Sequence, residues 1–81
     1  MKTRHYTVVL YPDLEEGGYT VLVPALPGVV TEGETLEEAM AMAKEAIELH
    51  IEGMIADGEP VPEEDVAPQT AVVTVEVGEA A

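Results

Sequence analysis

The sequence predicts an α+β fold, a two-layer sandwich of order β-β-β-α-β, and three observations carry that prediction. Two early runs, Thr3–Tyr11 and Tyr19–Pro24, are rich in β-branched and aromatic residues and place alternate side chains on opposite faces. A stretch of about 20 residues from Leu36 repeats apolar residues at steps of three and four, the period of a helix with one buried stripe. The run Gln69–Val77 then alternates again. One helix laid over one face of a sheet gives a two-layer sandwich.

In the first strand Tyr6, Val8 and Leu10 share one side, and His5, Thr7 and Val9 the other. The segment Pro12–Gly18 joins a proline and acids to a Gly-Gly pair, which is turn chemistry, so the first two runs form a hairpin. Ala25-Leu26-Pro27-Gly28 is a tight turn, because proline presets one φ angle and glycine supplies a positive one. Val29, Val30 and Thr31 follow as a short third strand.

Thr35-Leu36-Glu37-Glu38 is a capping box. Thr35 accepts from the backbone of Glu38, the Glu38 carboxylate reaches back, and both glutamates complement the positive end of the helix. The predicted apolar stripe is Leu36, Met40, Ala43, Ile47, His50 or Ile51, and Met54, and Asp57-Gly58 stops the helix. Gly53, inside the last turns, predicts either fraying or a close approach to a neighbour. Residues 59–68 read as an acidic, proline-punctuated linker. The run Gln69–Val77 is expected to pair with the sheet or with another subunit, and 78–81 to form a loose end.

An 81-residue chain fits one domain, residues 1–81, and buries only roughly 60–65% of the surface it exposes when unfolded. The core is therefore small and self-association is expected, with a second subunit over the sheet face that the helix leaves open. Net charge is −14, from 17 acidic residues against three basic ones. Such a chain repels phosphate backbones, so no direct nucleic-acid contact is expected, and its field favours a basic protein partner. The bland alternative for the charge is simple solubility. No run approaches the ~20 apolar residues of a membrane span, and the first residues lead straight into a strand, so a cytoplasmic protein with no membrane contact is expected. Cysteine, serine and asparagine are absent, which removes disulfides, thiolate ligands and the commonest acyl-transfer nucleophile. The scarcity of Asn, Gln and Cys fits either a heat-loving source or a GC-rich genome.

The carboxylate groups Glu15-Glu16, Glu32 with Glu34, Glu37-Glu38 and Glu63-Glu64-Asp65 read as solvated surface, since catalytic carboxylates need burial or a charged neighbour. His5 and His50 lack metal-ligand spacing, and His50 reads as a core-edge or interface residue. Glu45, Glu48 and Glu52, three and four residues apart, form either a wet helix face or a docking stripe. No glycine motif that cradles phosphate is present, and the aromatics lack the basic company that single-stranded nucleic acid requires. No metal, cofactor or catalytic residue is expected.

Gly18-Tyr19, Val23-Pro24-Ala25-Leu26-Pro27-Gly28, Thr31-Glu32-Gly33-Glu34-Thr35-Leu36-Glu37-Glu38-Ala39, Ala43-Lys44-Glu45-Ala46 and Pro60-Val61-Pro62 occur in this order. Together they resemble the HicB antitoxin family over about residues 3–77, in a short form. The resemblance implies a partial ribonuclease H-like (HicB-like) fold without hydrolytic activity. It also implies a partner similar to HicA, a small basic toxin that cuts messenger RNA with a histidine and is similar to double-stranded-RNA-binding domains. Ala25 stands where the family often has aspartate, which argues against a metal role for that turn. Full-length members often carry a C-terminal DNA-binding domain, and operator binding is not expected of this chain unless another chain supplies it.

The expected function is thus an antitoxin-like module that masks the RNA-binding surface of a basic toxin, with Glu45, Glu48, Glu52 and Tyr19 as partner-binding residues. Pro24, Leu26, Pro27 and Gly28 are expected to shape the turn, and Thr35 and Glu38 to cap the helix. The alternatives are a stand-alone oligomeric domain serving another protein or a small ligand, and a weak metal-dependent nuclease.

Overall fold

The computed structural model describes residues 3–78. Three short strands, β1 (Val9–Pro12), β2 (Tyr19–Leu22) and β3 (Val30–Gly33), form one antiparallel sheet in the order β1-β2-β3, and a single helix α1 (Leu36–Ala56) follows. The architecture is the α+β arrangement that the sequence predicts.

The β1–β2 hairpin closes on a bulge. Asp13 N–H donates to the Gly18 carbonyl at 2.9 Å and Gly17 N–H to the Asp13 carbonyl at 2.9 Å, so two glycines oppose one aspartate. Gly17 takes the positive φ, 81°, that this geometry asks of its first residue. The Asp13 carboxylate accepts from the backbone of Glu15 and Glu16, at 3.0 and 3.1 Å, and fixes the turn.

The first strand is shorter than predicted. Its ladder begins at Val9 opposite Leu22, because β2 ends there and the chain turns at Pro24, leaving residues 3–8 no neighbour to pair with. The predicted faces hold: Tyr6, Val8 and Leu10 all pack toward the helix side of the sheet.

Between β2 and β3 lie two successive turns, closed by Leu26 N–H to the Val23 carbonyl at 3.0 Å and Val29 N–H to the Leu26 carbonyl at 3.1 Å. Pro27 and Gly28, with φ at 96°, are the central pair of the second, the sequence of a type II turn. The turn tucks Leu26 inward to 1% exposure, where it joins Val23 and Val29 beneath Ile47 and Ile51. Leu26→Ala is expected to cost about 2–3 kcal/mol, measured by urea unfolding, because little else fills that site.

The helix starts and ends where the sequence places it. Thr35 Oγ1 accepts from Glu38 N–H at 3.0 Å, and the Glu38 carboxylate reaches back to Glu34 N–H at 3.3 Å, one residue before the cap. Thr35→Ala should lower stability by about 1 kcal/mol, and the loss should appear in thermal melts followed by circular dichroism.

The buried stripe differs from the predicted one. Ala39 and Ala43 are buried and Ala46, Ile47 and Ile51 half-buried, whereas Leu36 and Met40 stand about half exposed and His50 is exposed. The cause is the approach of β3 to the helix: a Cβ added to Gly33 would lie 2.6 Å from the Ala39 Cα. Backbones this close admit only small residues at the contact, so larger side chains at 36 and 40 are displaced to the flank. Gly53 has nothing within 4 Å of its would-be Cβ, and the helix runs on to Ala56, so neither predicted role for this glycine applies.

The linker after the helix is tied down rather than loose. Tyr6 donates its hydroxyl to the Pro62 carbonyl at 2.6 Å, Thr7 donates N–H and Oγ1–H to the Glu64 carboxylate at 2.7 Å each, and Arg4 pairs with Glu63 at 3.0 Å. Of these two clamps, acids that the sequence reads as solvated surface, Glu63 stays exposed while Glu64 is half-buried against Thr7. Residues 69–78 then run exposed and join no ladder, so pairing of this run with the chain's own sheet is not what the structure shows.

Candidate functional site

The fold gathers carboxylates that are scattered in sequence. The hairpin brings Asp13 and Glu16, the end of β3 brings Glu32 and Glu34, and the first helical turn brings Glu38, all around an open hollow of about 730 Å³. Tyr19, Thr20 and Met42 complete its wall. Read separately, these acids look like isolated solvated pairs. Their convergence comes from the close β3–α1 approach at Gly33, which sequence periodicity does not reveal.

Glu38 links this hollow to the helix. Along α1, Glu38, Glu45, Glu48 and Glu52 lie within one outward-facing sector at 100° per residue, opposite the buried Ala39 and Ala43. From Glu38 to Glu52 the stripe extends about 21 Å. Lys44 is the helix's only lysine or arginine, so little charge is neutralised along it. Of the four predicted partner-binding residues, Glu45, Glu48 and Glu52 share the exposed stripe. Tyr19 is half-buried instead, packed against the Val21–Ala39–Ala43 cluster at the wall of the hollow.

The predicted shaping residues fall into two groups. Leu26 is core, while Pro24, Pro27 and Gly28 are exposed and line a shallow apolar depression of about 340 Å³ on the sheet face away from the helix, with Val9, Tyr11, Leu22 and Val30. Val9, Leu22 and Val30 stand in register across the three strands, giving that face one apolar row.

Among the described residues no group of three or more His, Asp or Glu side chains is arranged to hold a metal ion. No helix there is long and apolar enough to cross a membrane. What the arrangement offers is an extended negative surface, open to water and backed by a rigid sheet–helix contact.

The profile of the HicB-like antitoxins of bacterial toxin–antitoxin systems matches residues 6–74 of this chain, which belongs to that family. A UPF0150 protein of Synechocystis sp. is 49% identical over 61 residues, covering 75% of this chain and 76% of that protein. A UPF0150 protein of Thermoplasma acidophilum is 45% identical over 60 residues, 74% of this chain and 86% of the relative. Antitoxin HicB 1 of Photorhabdus laumondii is 42% identical over 62 residues, which is 76% of this chain but 39% of that antitoxin. The chain therefore spans most of the short relatives and about two-fifths of the relative named as an antitoxin.

Proposed function

We propose that this chain is the toxin-binding module of an antitoxin, which neutralises a small basic HicA-type toxin by covering its RNA-binding surface. The observation that carries the proposal is the continuous carboxylate surface from Asp13 and Glu16 through Glu38 to Glu52, on the fold of the HicB-like family. A surface that binds RNA presents cations to phosphates, and a row of carboxylates about 21 Å long presents the complementary charge. In this account Glu45, Glu48 and Glu52 steer the encounter while Tyr19 and Met42 supply apolar contact at the hollow. The chain acts by occupying a surface and performs no chemistry of its own. Its place of work is the cytoplasm, where such a toxin meets messenger RNA.

The test is co-expression with the HicA-type toxin of the same genome. Growth arrest by the toxin alone should be relieved by this chain, and relief should disappear when Glu45, Glu48 and Glu52 are all changed to Lys. Arrest that persists despite abundant folded antitoxin would count against the proposal.

A second reading, a self-assembling domain that serves some other protein or a small ligand, is favoured by one observation. The apolar row of Val9, Leu22 and Val30 lies open on the sheet face that the helix does not cover. Self-association through this row leaves the acidic face free, so it is compatible with the toxin binding of our first reading.

A further inference from the structure

We propose that residues 69–77 act as the missing strand of a second copy of this chain, each copy lending its strand to the free edge of the other's β1. The inference deepens the self-association within our functional reading by naming the element that is exchanged and the edge that receives it.

The donor segment is a strand without a sheet. Val72, Val73, Val75 and Val77 are 96%, 78%, 69% and 73% exposed, in a run whose β-branched content suits a pleated, half-buried surface. The receiving edge is equally unpartnered. Antiparallel partners alternate in where their backbone groups point, and Asp13 and Gly18 form a hydrogen-bonded step. Counting back from that step turns the backbone groups of Leu10 away from β2, to the open side of β1, and an edge of this kind is a template for another chain.

The clamps explain why the strand does not serve its own sheet. Glu64 is held at Thr7, beside the start of β1. A strand continuing from Glu64 alongside β1 draws level with Pro12, the end of β1, by residue 69, since both segments rise about 3.3 Å per residue. The valines at 72–77 then lie beyond the chain's own sheet.

Area and charge favour a second copy as the recipient. A compact monomer of 8.6 kDa exposes about 4,700 Å², whereas this chain exposes 6761 Å². The excess of about 2,000 Å² per chain, covered reciprocally, matches the interface of an obligate homodimer. The radius of gyration is 16.3 Å against about 12 Å for a compact domain of this length. Two chains of charge −14 repel each other unless they meet where acids are absent. The receiving edge, residues 9–12, carries no charged side chain, and the donated strand carries none before Glu76, near its end.

The absence of native cysteine makes the test direct. Light scattering of the isolated full chain, without toxin, is expected to give twice 8.6 kDa or a multiple of it. Changing Val73 and Val75 together to Lys should return the single-chain mass with the helical circular dichroism retained. Chains carrying Val9→Cys and chains carrying Val75→Cys, mixed through unfolding and refolding and treated with a flexible bismaleimide, should yield a linked pair containing one of each. A monomeric native chain overturns the proposal. So does absence of the mixed pair from the refolded sample, or a link only between two copies of Val75→Cys. Because toxin is absent throughout, failure here leaves the antitoxin reading standing, and failure of toxin binding leaves this result standing.

Discussion

Gly33→Ala is expected to cost about 3 kcal/mol or more and to lower the melting temperature by roughly 15 °C, the largest single-site loss in the chain. The added methyl group would fall 2.6 Å from the Ala39 Cα and 2.9 Å from the Glu38 carbonyl carbon. These are helix backbone atoms, which cannot rotate aside as a flexible side chain would. Relief requires moving α1 off β3, which opens the Val21–Ala39–Ala43 cluster and pulls Glu38 away from Glu32 and Glu34. Gly53→Ala provides the control: its new methyl group meets nothing within 4 Å, and gain of helix propensity should raise stability by up to about 1 kcal/mol. Thermal unfolding of both variants, followed by circular dichroism, checks the pair. Equal and small effects would mean that the sheet and helix do not approach closely at this point.

Reversing the acidic stripe is expected to have the largest effect on binding. The triple change Glu45→Lys, Glu48→Lys and Glu52→Lys should weaken toxin affinity about tenfold to a hundredfold, since each exposed pair contributes modestly and three attractions become repulsions. The loss should fall partly on the association rate, because exposed charges steer encounter, and it should shrink as salt is added. The fold itself should be untouched, as all three side chains point into water. Stopped-flow association with the purified toxin at two ionic strengths measures both quantities. An unchanged rate would move the toxin site off the helix.

The contrast between these two variants marks what a sequence discloses about this protein. The helix boundaries were readable because a cap is local: Thr35 and Glu38 are three residues apart and carry their geometry with them. The turn at Pro27-Gly28 and the hairpin at Gly17-Gly18 were readable for the same reason. The buried stripe was misplaced because periodicity weights large side chains, whereas contact at Gly33 selects Ala39 over Leu36 and Met40. The length of β1 depends on where β2 leaves it, which is set by the turn at Pro24, outside the strand's own residues. The clamps at Glu63 and Glu64 join positions nearly sixty residues apart, and the acidic hollow draws on three separate segments. Both are products of tertiary folding that no local pattern records. Alternation in Gln69–Val77 announces a strand and leaves its partner open, which is the question the proposed strand exchange addresses.

The central claim is that an acidic surface docks on a basic toxin, and titration calorimetry against the HicA-type toxin of the same genome tests it most directly, at two salt concentrations. Tight binding whose affinity falls as salt rises is the predicted result. Absence of heat from a protein shown to be folded, or an affinity indifferent to salt, would contradict it.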